Sequence, residues 1–281
     1  MKFKVSSELA YQFNSPGTLI LNIHALKTQG QTVLEEIHHV EPYFNWQELI
    51  SANAENRFVR IEIDRPSPVR IKYEALVENE TALIPASDLY EVQVKDMDTL
   101  VLSYLNPSRY CQSDKLYRLA NNMFGYIDGA FNKVLALTDW IYYNVEYLSG
   151  STDSQTSAYD TVTEQAGVCR DFAHLGIALC RALTIPARYF TGYSYKLSPP
   201  DFHACFEAYL GGKWIIFDPT RLCPLNGLVK IATGRDAADT AIASIFGDVF
   251  FTSIRVGCEI ADENFIPFQY DKADLKGLSY L

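Results

Sequence analysis

The run "AGVCRDFAHLGIALCRALTIPAR", residues 166–188, constrains the fold more than any other stretch. From Cys169 to about Leu183 it follows a helical period. Its apolar residues, among them Phe172, Leu175, Ile177, Leu179 and Leu183, point in nearly every direction. A helix with no polar face has to lie inside a core. The segment "TIPAR" then stops it. The residue that opens this helix is a cysteine, the most reactive common side chain, at the end where the backbone amides and the helix dipole favour a thiolate.

The rest of the chain has room for such a core. With 281 residues about two domains are expected. Hydrophobic residues make up 48% and charged residues 21%, ordinary values for a globular chain, so disulfides are not needed for stability. The formal net charge of -10 argues against nucleic acid and against an anionic membrane surface as partners. The start, "MKFKVSSELAYQF", has no secretory pattern, and no run of about 18 apolar residues exists to span a membrane. The six cysteines are scattered and form no CxxC pair. Free thiols in a reducing cytosol are the simplest account, and a cytoplasmic location follows as the expectation.

Residues 1 to about 105 read as all-β. "KFKVSSELAYQF", "GTLILNIHAL", "QTVLEEIHHV", "NRFVRIEID", "SPVRIKYEALVE" and "YEVQVKD" are short runs separated by the turn clusters "NSPG", "SANAEN" and "DRPSP". This pattern predicts an antiparallel β-sandwich. "LNPSRYCQSD" is a polar connector and a domain boundary near residue 105, giving domains 1–105 and 106–281. "KLYRLANNMFGYI" and "AFNKVLALTDWIYYNVEYL" follow a helical period. "YDTVTEQAG" predicts a short helix closed by Gly167. After the Cys169 helix, "ARYFTGYSY", "HACFEAYL" and "KWIIFD" read as strands.

The last two strands flank Gly211–Gly212, a strong two-residue hairpin signal. Such a turn pairs Leu210 with Lys213, and counting outwards sets Cys205 opposite Asp218. His203 shares a face with Cys205 and becomes a diagonal neighbour of Asp218. A carboxylate on an imidazole fixes its tautomer and steadies its charged form. Cys169 is the available nucleophile, and the amides at its helix start could hold an oxyanion. Spacing alone leaves a second reading open. In it Cys169 is a buried helix residue, His203 a satisfied strand histidine and Asp218 a cap before Pro219.

The words around these residues carry a resemblance. Gly167–Cys169, Arg181–Tyr189, His203–Ala204, Trp214 and Asp218–Thr220 occur in the order of the transglutaminase-like family, in its bacterial cysteine-protease-like branch. The distinctive part covers about residues 150–222, and "TGRDAADTA" at 233–241 looks like the tail of that branch. The resemblance implies an α+β fold: an N-terminal Ig-like β-sandwich followed by a papain-like, transglutaminase-like catalytic domain. It assigns Cys169 as nucleophile, His203 as general base and acid, and Asp218 as the orienting carboxylate. One departure stands out. The family has Trp two residues after the histidine where this chain has Cys205, read here as a small hydrophobe of the core.

Other residues have blander readings. Glu207 and Asp171 are read as structural carboxylates and His174 as a core histidine; the role of Arg170 is open. His38 and His39 sit beside Glu35 and Glu36 without closed-site spacing, so no metal is expected, and no cofactor motif appears. Tyr193, Tyr195 and Asp201 either line a substrate cleft or sit at the surface. A thiol enzyme acting on a peptide, protein or amide substrate through an acyl-enzyme is the leading expectation, with hydrolysis favoured over cross-linking. The alternative is a non-catalytic binding or scaffold protein that keeps the fold.

Overall fold

The computed structural model describes residues 1–51, 56–271 and 275–281. The N-terminal part contains β1 (Lys2–Phe13), β2 (Gly17–Leu21), β3 (Gln31–Glu41), β4 (Asn45–Ile50), β5 (Arg57–Ile63), β6 (Ser67–Asn79) and β7 (Thr81–Pro85). Their residues alternate as a half-buried sheet requires. In β1, Phe3, Val5, Leu9, Tyr11 and Phe13 face inwards while Lys4 and Gln12 face out; in β6, Val69, Ile71, Tyr73 and Val77 are buried between Arg70, Lys72 and Glu74. These side chains meet Leu19, Leu21, Val59 and Ile61 from the opposing sheet in one core. "YEVQVKD" forms no strand, only a short turn at Val94–Asp96. The run alternates, but Tyr90 and Val94 are both exposed and have no layer to be buried against.

The helical part runs α1 (Thr99–Leu102), α2 (Ser113–Phe124), α3 (Ala130–Asn144), β8 (Glu146–Tyr147), α4 (Ala158–Glu164), β9 (Ala166–Gly167) and α5 (Cys169–Ala182). α4 ends on Gln165, which adopts the left-handed conformation (φ 55°), so Gly167 is not its cap. Gly167 instead pairs in β9 and lies against Asp171, where a Cβ would come within 2.8 Å of the Asp171 Cβ. α5 is the enclosed helix that the sequence demanded: every residue from Asp171 to Ala182 is buried.

Behind α5 lies an antiparallel sheet made of β10 (Ala187–Ser194), β11 (His203–Leu210), β12 (Lys213–Phe217) and β13 (Leu228–Gly234), in the order β12-β11-β10-β13. The hairpin register runs from Leu210↔Lys213 to Phe206↔Phe217, as counted from the two glycines. Gly211 and Gly212 have φ of 56° and 79°, the left-handed pair that a tight hairpin turn needs. Gly176 of α5 lets the sheet approach; a Cβ there would sit 2.4 Å from the Phe206 ring.

The opposite face of this sheet joins the sandwich. Tyr193, Val229 and Ile231 belong to the sandwich core. Tyr193 is fully buried, its hydroxyl donating to Ile23 O at 2.7 Å and bonding Ser7 Oγ at 3.0 Å. It is therefore a joint between layers, neither a cleft residue nor a surface one. Edge strand β13 is sealed by side-chain amides acting as a surrogate strand. Gln31 donates to Lys230 O (2.9 Å) and accepts from Lys230 N (2.7 Å); Asn56 does the same with Thr233 (2.8 and 2.9 Å).

The chain ends with β14 (Ala243–Phe246), β15 (Val249–Ile260) and β16 (Lys276–Tyr280). β14 pairs with β2, and β15 pairs with β1 from Phe3↔Ile260 to Phe13↔Val249. The sandwich sheets are thus β15-β1-β6-β3 and β14-β2-β5-β4. Strands within residues 243–260 pair into the sheets of the N-terminal sandwich. β16 pairs with β7.

Candidate active site

The start of α5 is fixed by a carboxylate. Asp171, fully buried at the third helical position, accepts from the Val168 amide (3.0 Å), from Thr152 Oγ1 (2.8 Å) and from Arg170 Nε (3.1 Å). Val168 has no side-chain acceptor, so only this half of a capping box is made. Arg170, whose role was open, clamps Asp171 and also donates to Asp153 O at 2.5 Å. This network sets the direction in which Cys169, the first residue of the helix, presents its thiol. Cys169 is half-buried, unlike Cys111, Cys180, Cys205 and Cys223, which are buried.

His203 opens β11 and Asp218 follows β12, so the hairpin brings them together. His203 Nε2 bonds Asp218 Oδ2 at 2.8 Å, with both side chains buried. The other carboxylate oxygen accepts from Thr220 N (2.9 Å) and Thr220 Oγ1 (2.7 Å). Thr220 therefore gives the Asp-Pro-Thr motif its physical sense: it holds the carboxylate while the proline turns the chain. Nδ1 of His203 is buried without a partner at hydrogen-bond geometry, and the Cys169 thiol is near enough to the ring to act on its proton affinity. Burial pushes the ring down, but Asp218, Cys223 and Cys169 together outweigh it and hold it well above the ordinary histidine value. Burial likewise pushes Asp218 up, and its bonds to His203 and Thr220 reverse this to a net lowering.

Tyr147 is the residue that the spacing did not reveal. Its hydroxyl interacts with both the backbone amide and the thiol of Cys169, and burial together with the Cys169 charge raises it to about 12. β8 pairs in parallel with β9, Tyr147 opposite Gly167, which is how a residue distant in sequence reaches the helix start. No local signal marks a contact made by two-residue strands.

The remaining candidates fall away from this cluster. Glu207 is buried between Arg188 (2.6 Å) and Lys230 (2.5 Å), a structural ion network. His174 is buried, stacks on Tyr110 and accepts from Ala237 N at 3.1 Å, which ties "TGRDAADTA" to α5. Cys205 lies in a small buried cluster with Phe190, Ile216 and Leu228, a core hydrophobe as expected. Asp201 accepts from its neighbour Phe202 N, and Tyr195 is partly buried against the sandwich core. His38 bonds His24 inside the sandwich (His24 Nε2···His38 Nδ1 2.9 Å).

Comparison with known proteins matches two stretches of the chain to families. Residues 1–100 match the family described as bacterial transglutaminase, N-terminal domain, and residues 117–219 match the transglutaminase-like superfamily. The chain is similar throughout to the crystal structure of "a Putative Cysteine Protease from Cytophaga hutchinsonii", with 58% identity, a TM-score of 0.98, and coverage of 100% of this chain and 98% of that one. An uncharacterized protein of Mycobacterium leprae is 24% identical over 278 residues, covering 92% of this chain and 98% of that protein. One of Mycobacterium tuberculosis is 29% identical over 151 residues, 48% of this chain and 47% of that protein. Among the described residues, no helix is long and apolar enough to cross a membrane.

Proposed function

This chain belongs to the transglutaminase-like superfamily, and from that membership we propose that it is a thiol hydrolase of peptide or glutamine-type amide bonds. Cys169 is the nucleophile, His203 the acid and base, and Asp218 the orienting carboxylate. The single observation that carries this reading is the buried His203–Asp218 bond beside a half-buried cysteine at a helix start.

The chemistry follows from the roles. The Cys169 sulfur attacks the amide carbon while His203 holds the thiol proton. The tetrahedral oxyanion is met by the Cys169 amide, with the Tyr147 hydroxyl as the second donor. His203 passes its proton to the leaving amine, the C–N bond breaks, and a thioester to Cys169 remains. Water, deprotonated by His203, then releases the acid and regenerates the thiol. An amine in place of water would give cross-linking. The cysteine-protease description of the 58%-identical Cytophaga protein favours water.

The test is to incubate the full chain with a library of peptide amides in ¹⁸O-labelled water, with and without methylamine. Products carrying ¹⁸O, lost in Cys169→Ala, are expected. Methylamine adducts alone would replace hydrolysis by transfer. Turnover that persists in Cys169→Ala, or none in the wild type, would overturn the reading.

A further inference from the structure

Five residues beyond Asp218 the chain returns a second sulfur to the same carboxylate. Cys223 Sγ lies 3.8 Å from Asp218 Oδ2, the oxygen that also holds His203 Nε2 at 2.8 Å. The three donors are an imidazole nitrogen, a carboxylate oxygen and a thiol sulfur. All lie within 4.8 Å of one another, and all three residues are buried. The proposed reaction makes no use of Cys223.

We propose that His203, Asp218 and Cys223 form an inhibitory site for a borderline-soft divalent cation of the zinc class. Nitrogen, oxygen and thiolate sulfur are the ligands such an ion takes, at bond lengths of about 2.0–2.3 Å. A tetrahedral ion with those bonds needs its ligands about 3.3–3.8 Å apart. The sulfur–oxygen separation already fits, and the nitrogen–oxygen pair has to open by about half an ångström. Charge fits as well. A dication with one thiolate, one carboxylate and a neutral imidazole sums to zero, the condition a buried charged group requires. Calcium and magnesium are disfavoured, because they ask for six or more oxygens.

The site also has an approach. A cavity of about 360 Å³ reaches Asp218 and is also lined by Arg221, Leu225, Gln269 and Asp139. Asp218 is the one of the three ligands that lines it; His203, Cys223 and Cys169 do not. On this reading an ion reaches the carboxylate from the cavity side without passing Cys169, and water supplies the fourth ligand. On binding, the Cys223 thiol proton and the His203 Nε2 proton leave to solvent, and the ring keeps its proton on Nδ1. A ring fixed in that state has no free nitrogen to accept the Cys169 proton. Metal binding then stops turnover reversibly; this last consequence rests on the function proposed above.

Cobalt(II) is the probe, since a thiolate ligand gives it a charge-transfer absorption band whether or not the enzyme turns over. The full chain is titrated with cobalt(II), and the bound metal is then displaced with zinc. The band is expected in the wild type and in Cys169→Ala. It should disappear in Cys223→Ser and in Cys223→Ala, with circular dichroism confirming that each variant is folded and zinc affinity falling by about a hundredfold or more. A band retained in both Cys223 variants, or lost in Cys169→Ala, places the sulfur elsewhere and overturns the proposal, as does the absence of any band in the wild type. Cobalt bound through Cys223 in a chain without thiol activity would uphold the site and overturn the proposed function instead. Where turnover is measured, zinc should slow the wild type at least tenfold, with recovery on adding a chelator.

Discussion

The buried histidine pair of the sandwich and the buried histidine of the candidate active site are treated in opposite ways. In the sandwich, His24 and His38 bond each other at 2.9 Å, flanked by Tyr73 and Trp46. Burial first, then a neighbouring histidine for each and Arg57 for His24, hold His24 at about 3 and His38 at about 4. Glu48 Oε2 is 3.7 Å from His24 Nδ1, too far for a hydrogen bond. At the candidate active site, burial also presses His203 down, yet a carboxylate bonded to Nε2 lifts it well above its ordinary value. Burial alone makes a neutral structural histidine. Burial plus an aligned anion makes one that can hold a proton and give it up.

The largest expected effect removes that anion. Asp218→Ala should turn His203 into a ring of the sandwich kind, with its titration moving below 6.5 by ring NMR. Alkylation of Cys169 at pH 7 should fall about a hundredfold. A ring that still titrates above 6.5 in the variant would break the comparison.

Next comes the pH dependence of stability, where the His24–His38 pair and His203 have opposite signs. His24 and His38 have folded values below 6.5, so the unfolded chain takes up protons first. Their contribution is complete above 6.5 and is lost as pH falls towards 4 and 3. Between pH 7 and pH 5 this should remove about 1–3 kcal/mol, read from urea midpoints, allowing for the partial exposure of His38. His38→Asn keeps a polar atom at the Nδ1 position and should shrink the loss. His203 has a raised value, so its contribution is present below 6.5 and is lost as pH rises through the folded value. Asp218, held low, contributes above 3.8 and loses this as pH falls through its folded value.

The tyrosines sharpen the contrast with smaller effects. Tyr147, 43% exposed, acts on Cys169. Tyr147→Phe should lower kcat about tenfold, on the low side for loss of an oxyanion donor, with little change in Tm. Tyr73 is buried, donates to Glu36 Oε2 at 3.0 Å and accepts from Ala25 N at 3.1 Å. Tyr73→Phe should reduce stability by about 1–2 kcal/mol and leave kcat unchanged.

What the sequence made legible was local or periodic. The enclosed helix was visible in its lack of a polar face. The His203–Asp218 contact followed from two glycines and a count along a hairpin. The return of β15 to β1 was invisible, because pairing across more than two hundred residues leaves no local mark and β15 is largely exposed. "YEVQVKD" misled for the opposite reason: alternation without a layer to cover it is not a strand. Tyr147 and Cys223 escaped because their contacts depend on a short parallel pairing and on the turn after Asp218, which no spacing rule describes.

The most direct test of the central claim is the rate of iodoacetamide alkylation at Cys169 at pH 6, located by peptide mass spectrometry in the wild type and in His203→Ala. If the imidazole holds the thiol proton, the wild type should react at least about tenfold faster than the variant. Equal rates in the two folded proteins, both like free cysteine, would contradict the account.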